Sequence, residues 1–184
     1  MSRIPVVEEN QAEGMIREVY AGMKSQMGVV PNVIKVFSTW PELFEANMKM
    51  FQTIMTSETK LPRAIKEMIA ALTSKLNQCG YCVSHHVNFM KQYGVEQVMA
   101  ETIGEDYRKS GVDKKTLRLL EYVEKVTKHA YKVTDTDIAG LKESGWSDRE
   151  ILEATAVVGQ FSFINRIVDA LGVELETSGS GQKS

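Results

Sequence analysis

A chain of 184 residues with a formal net charge of −2 and a pI near 6.0 has no basic excess of the kind nucleic-acid binding needs, so no nucleic-acid partner is expected. The length suits one domain, able to bury about two-thirds of its unfolded surface without metal or disulfide staples. Two cysteines are too few for a disulfide scaffold, and in a Cys-x-x-Cys they suit redox or metal chemistry in a reducing compartment. No apolar run of membrane-span length is read, and the start MSRIPVVEEN has no basic and apolar leader, so a cytoplasmic protein without a membrane partner is expected.

Residues 1–10 read as an extended lead-in around Pro5. From Gln11 to Met27, the residues Met15, Ile16, Val19, Tyr20 and Met23 recur at helical spacing, and Gly28 and Pro31 stop the helix. Pro31 and Pro41 bracket one or two helical turns, and Pro41 can open the next helix. That helix, to about Met55, buries Leu43, Phe44, Met48, Phe51, Ile54 and Met55, with methionine filling irregular core space.

Ser57 to Lys60 is a polar connection, and Pro62 starts a helix whose buried face is Ile65, Met68, Ile69, Leu72 and Leu76. Glu67 lies on the flank of that face, where the pattern by itself predicts a solvated carboxylate. This helix meets a second one near Asn77 and Gln78. The second carries Cys79, Cys82 and His86 to a stop at Gly94, and at about 100° per residue the three fall on one face. A helix N-terminus stabilises a thiolate over a thiol. His86, one turn beyond Cys82, is placed to take the thiol proton, and Glu67 is the nearest candidate for the third group that orients such a base.

After Gly94 a short helix runs through Met99 and Ile103 to a polar loop, GEDYRKSGVD. Lys114 to about Lys128 resumes the helical period, with His129 near its end as a favourable C-terminal charge rather than a ligand. Thr134 to Asp137 is a capping-box pattern for a helix stopping at Gly145, and Ser147 to Glu150 repeats it for a last helix to Leu171, capped by Gly172. The second half of that helix, VVGQFSFINRIVDAL, is apolar on nearly every side, which fits either a subunit interface or the centre of the bundle. Asn165 and Arg166 stand out within it, Arg166 as a member of a structural ion pair. The reading is an all-α chain of seven or eight helices, one domain over residues 1–176, with 177–184 a flexible tail.

The spacing Glu67-x11-Cys79-x2-Cys82-x3-His86 resembles the alkylhydroperoxidase D family, within the carboxymuconolactone decarboxylase-like superfamily, and especially its peroxidase-related branch. The likeness extends over Leu61 to Gly94, over Pro31 to Pro41, and over AGLKESGWSDREILEATAVVGQFSFINRIVDALGV. What the resemblance implies is a single-domain helical bundle of the AhpD type, with the CxxC at the start of one helix, acting as a two-cysteine hydroperoxide reductase. On this reading Cys82 attacks the peroxide, Cys79 resolves, His86 is the base and Glu67 is the far end of a proton relay, which reverses the solvated reading of Glu67.

The resemblance further implies no bound cofactor, a hydroperoxide substrate, an external dithiol such as a lipoyl-bearing protein as reductant, and a homo-oligomer (dimer, trimer or hexamer). Some members carry a histidine directly before the second cysteine. Here that place is Tyr81, and His85 is the available substitute. Three alternatives stand beside this one. A metal-binding module would use Cys79, Cys82 and His86 with His85 or Glu67, although no second cysteine pair completes a zinc set. A superfamily lyase such as a decarboxylase would not need the CxxC. A thiol switch would keep the cysteines and turn over slowly.

Overall fold

Every regular element among residues 2–176, which the computed structural model describes, is helical. The all-α expectation is met, with nine α-helices among the described residues where seven or eight were expected. Two compact units can be told apart, one of residues up to Lys49 together with those from Val168 onward, the other of Met50–Ile167.

The first unit holds α1 (Gly14–Met27), α2 (Asn32–Val36), a 3-10 turn at Phe37–Thr39, and most of α3 (Pro41–Phe51). Tyr20, buried on α1, donates to the Val7 carbonyl at 3.0 Å and meets Phe44 edge-on at 6.5 Å between ring centroids. The lead-in is non-helical, as expected, and is tied down along its length. The Val7 amide donates to Ser38 Oγ at 2.8 Å. The Arg3 backbone amide and guanidinium donate to the carbonyls of Leu171, Asp169 and Ala170 at 2.7, 3.0 and 2.8 Å, groups that a helix C-terminus leaves without intrahelical partners.

The second unit begins with a π-helical turn at Gln52–Thr56, closed by the Ser57 amide on the Gln52 carbonyl at 2.8 Å. It continues through α4 (Arg63–Leu76), α5 (Gly80–Gln92), α6 (Gln97–Asp106), α7 (Lys114–His129), α8 (Asp135–Glu143) and most of α9 (Asp148–Leu171). The centre is α4, packed on α5, α6 and α7. Every residue from Lys66 to Ser74 is buried, so the single buried face read from the sequence understates it: a helix covered on all sides can place a polar group in the core only beside a partner.

Two further expectations change for physical reasons. The loop expected at Gly104 is helix, because α6 runs on to Asp106. A Cβ on Gly104 would stand 2.8 Å from Val87 Cγ2 on α5, so the glycine serves close helix approach and does not end the helix. Arg166 is exposed and donates to the Ser162 carbonyl at 2.5 Å, and no ion pair to it exists among the described residues. Its neighbour Asn165 is buried, donates to Ser74 Oγ at 3.0 Å and accepts from Asn77 Nδ2 at 2.9 Å, fastening the end of α4 to α9.

The capping box at Thr134 and Asp137 is present, as is the one at Ser147 and Glu150. By length and composition α9 would suffice to cross a membrane, contrary to the sequence reading, but 56% of its most apolar window is buried inside the protein, as for a core helix. The tail at 177–184 lies outside the described residues.

Candidate active site

The turn from α4 into α5 sets the geometry of the CxxC. The Cys79 amide donates to the Ser74 carbonyl at 2.9 Å and the Gln78 amide to the Lys75 carbonyl at 3.0 Å, the paired bonds of a Schellman cap with Gln78 as its left-handed residue. Gln78 has φ of 64° and is the only non-glycine with positive φ among the described residues. The corresponding positions after α5 and α8 are Gly94 and Gly145. A side chain in this conformation costs of order 1 kcal/mol, and such strain concentrates at functional sites.

Leaving that turn, Cys79 becomes the N-cap of α5, its side chain making no capping bond to the N–H groups of the first turn, in which Cys82 lies. The partial positive charge of those groups favours an anionic sulfur. Both cysteines are buried and are not joined in a disulfide. His86 follows Cys82 by four residues in the same helix, the spacing that stacks two side chains on one face.

His86 reaches back from α5 to α4. Its Nδ1 stands 2.6 Å from Glu67 Oε2 in a buried contact, and Arg63 Nε donates to the other oxygen, Oε1, at 2.5 Å. Glu67 is fully buried. Burial pushes its carboxyl up, but the hydrogen bond and charge of His86 and the charge of Arg63 outweigh it and hold the group below the ordinary carboxylate range. An ionised carboxylate only accepts, so the proton on this bond belongs to His86 Nδ1, which leaves Nε2 as the basic nitrogen. The edge of the imidazole meets Phe161 of α9, with centroids 4.2 Å apart and planes at 84°.

The structure therefore brings Glu67 and His86 into contact, and overturns the solvated reading that the α4 pattern gave for Glu67. It sets Cys79 and Cys82 at the start of α5. Tyr81, in the position that is histidine in some relatives, is buried and lies against His85, with ring centroids 4.5 Å apart. Two partners were missed. Arg63 was legible as an i, i+4 neighbour of Glu67; Phe161 had no signal beyond belonging to an apolar run. Among the described residues no group of three or more histidine, cysteine or acidic side chains could hold a metal ion, and Glu67 and His86 spend their facing atoms on each other.

Residues 41–105 match the family model of the carboxymuconolactone decarboxylase family. The crystal structure of a peroxidase-related protein from Ralstonia eutropha JMP134, described as an alkylhydroperoxidase AhpD core, superposes with a TM-score of 0.91 at 27% identity, covering 95% of this chain and 92% of that one. A peroxidase-related protein from Silicibacter sp. TM1040 matches with a TM-score of 0.86 at 25% identity, over 97% and 95% of the two chains. The debrominase Bmp8 shares the fold, with a TM-score of 0.80 at 20% identity over 94% of this chain and 90% of its own. None of the curated proteins matches the sequence.

Proposed function

The chain belongs to the alkylhydroperoxidase D-like/carboxymuconolactone decarboxylase superfamily, and from that premise we propose that it is a thiol-dependent hydroperoxide reductase. The observation that carries the reading is the buried bond between Glu67 and His86, with His86 one helical turn past Cys82. Since the same fold also carries a debrominase, fold alone does not choose the substrate, and the argument rests on the site.

In the proposed reaction the Cys82 thiolate attacks the terminal peroxide oxygen. The O–O bond breaks, an S–O bond forms, and the alkoxide leaves as an alcohol with a proton delivered through His86. The Cys82 sulfenic acid is then attacked by the Cys79 sulfur, with loss of water and formation of the Cys79–Cys82 disulfide. Glu67 holds Nδ1–H and stabilises the imidazolium whenever His86 carries the proton, the role of the third member in a nucleophile–base–carboxylate set. Each turnover oxidises two thiols and reduces one hydroperoxide to an alcohol and water. An external dithiol, for which a dihydrolipoyl group is our candidate, restores the pair. We place the enzyme in the cytoplasm, where thiols are kept reduced, and expect it to assemble as a homo-oligomer.

The test is peroxide consumption together with mass spectrometry of the thiols. Wild type should form an intramolecular disulfide, Cys79→Ser should accumulate sulfenic acid at Cys82, and Cys82→Ser should consume no peroxide. Retained turnover in Cys82→Ser would sink the assignment.

A further inference from the structure

A cleft of about 260 Å³ is lined by the turn from Met55 to Thr59, by Leu61 and Pro62, by Arg63 and Lys66 of α4, and by Tyr93. It lies below the volume range of pockets that hold drug-sized ligands. Its wall combines the apolar Met55, Leu61, Pro62 and Tyr93 with a polar turn and two cations, Arg63 and Lys66. Arg63 lies over the Tyr93 ring at 4.8 Å and donates to the Met55 carbonyl at 3.1 Å. With the bond to Glu67, this accounts for two of the five N–H donors of its guanidinium.

Lys66 is only 2% exposed. Among the described residues its ammonium has one hydrogen bond, to the Ser57 carbonyl at 3.3 Å, at the long end of the normal range. A buried cation needs more than that. The nearby carboxylates are committed elsewhere: Glu67 to His86 and Arg63, and Glu153 to the Leu61 and Lys60 amides and to Arg149. Burial accordingly pulls the Lys66 ammonium below its ordinary range, with the charge of Arg63 adding to the effect and those of Glu153 and Glu67 opposing it. The first turn of α4 also faces this end, and Pro62, its N-cap, offers no side-chain acceptor to its free N–H groups. Glu67 balances Arg63, which leaves Lys66 as the cation of this lining with no carboxylate bonded to it among the described residues, while the exposed Glu58 of the same lining brings the local sum to zero and disfavours a second negative charge on a ligand.

We propose that this cleft binds a small organic monocarboxylate, its carboxylate on Lys66 and Arg63 and its carbon body against Tyr93, Met55 and Pro62. The proposal is independent of the cysteine chemistry and stands whether or not the chain reduces peroxides.

Benzoate is the probe, read by the broadening of its proton resonances on titration with wild-type protein, alongside neutral benzamide and inorganic phosphate. Benzoate should bind, benzamide should bind at least tenfold more weakly, and phosphate should not displace benzoate. Lys66→Met should weaken benzoate about tenfold to a hundredfold, the loss expected for a hydrogen bond to a charged group. Glu58→Gln, a surface change that leaves the fold intact, should tighten it. Equal binding of benzoate and benzamide would reduce the cleft to an apolar slot, and displacement by phosphate would overturn the monocarboxylate assignment. Undiminished binding in Lys66→Met, or weaker binding in Glu58→Gln, would move the ligand out of this cleft; if Lys66→Met does not fold, the Glu58→Gln and benzamide arms still decide.

Discussion

Replacing Glu67 by glutamine changes one oxygen to an amide nitrogen at a site with no exposure and two charged-group hydrogen bonds, at 2.5 Å from Arg63 and 2.6 Å from His86. An amide has one acceptor oxygen where both partners present a donor. If Arg63 keeps the oxygen, His86 faces the NH2 group and must turn to the tautomer with hydrogen on Nε2, which removes the base. Breaking a buried charged pair by removing one partner costs about 3–5 kcal/mol, consistent with the loss of one or two hydrogen bonds to charged groups at about 1.5–3 kcal/mol each. The linkage has a definite sign. Glu67 is held below the ordinary carboxylate range in the folded state, so its contribution is fully present above the unfolded carboxyl pKa of about 4.3 and is lost as pH falls through the folded value. Urea unfolding followed by circular dichroism should therefore show Glu67→Gln less stable than wild type by several kcal/mol at pH 7, with the gap closing in the acid range below about pH 4. Peroxide turnover at neutral pH should fall by about 10²–10⁴, the worth of a general base. A variant with an unchanged urea midpoint at pH 7, or a gap as wide at pH 3 as at pH 7, would refute the reasoning.

Two changes away from the cysteines test the scaffold. Gly104→Ala forces a methyl to within 2.8 Å of Val87 Cγ2 and should cost about 1–3 kcal/mol as overpacking; in the same urea assay, Val87→Ala should recover part of that loss in the double mutant, and strictly additive costs would argue against the contact. Glu153, in α9, accepts from the Leu61 and Lys60 amides ahead of α4 and from Arg149. Although burial pushes its carboxyl up, these bonds bring it down to about 2. Glu153→Gln should then cost about 1.5–3 kcal/mol at neutral pH, a deficit that shrinks as pH falls from about 4.3 toward 2, measured as the midpoint difference between variant and wild type across that window.

What the sequence made legible was whatever is encoded locally. The capping boxes at Thr134 and Ser147, the break near Asn77 and Gln78, and the stops at Gly94, Gly145 and Gly172 are interactions within a few residues, and the side chains announce them. Gly104 misled because the same residue type ends helices and admits neighbours, and only the position of Val87 tells the two apart. Glu67 misled in the opposite direction: its i, i+4 arginine was visible, but a helix buried on every side has no polar flank, and that burial is supplied by α5, α6 and α7, distant in sequence. The partnership of Glu153 with the Leu61 amide spans 92 residues and leaves no pattern at all. The family resemblance carried by the motif supplied what periodicity could not, since it pairs Glu67 with His86, a contact that the structure contains.

The turn at Asn77 to Cys79 also bears on how such a segment can vary over time. Between Glu67 and His86 lie the end of one rigid helix, a cap held by one left-handed residue and the beginning of another, with no slack in which an added residue could be absorbed. One inserted or deleted residue would rotate everything after it by about 100° about the axis of α5, carrying His86 off Glu67 while leaving each helix sound in itself. Substitutions in the same span leave that length untouched. The segment behaves as a ruler, and length is the property that inheritance must hold fixed there while composition drifts.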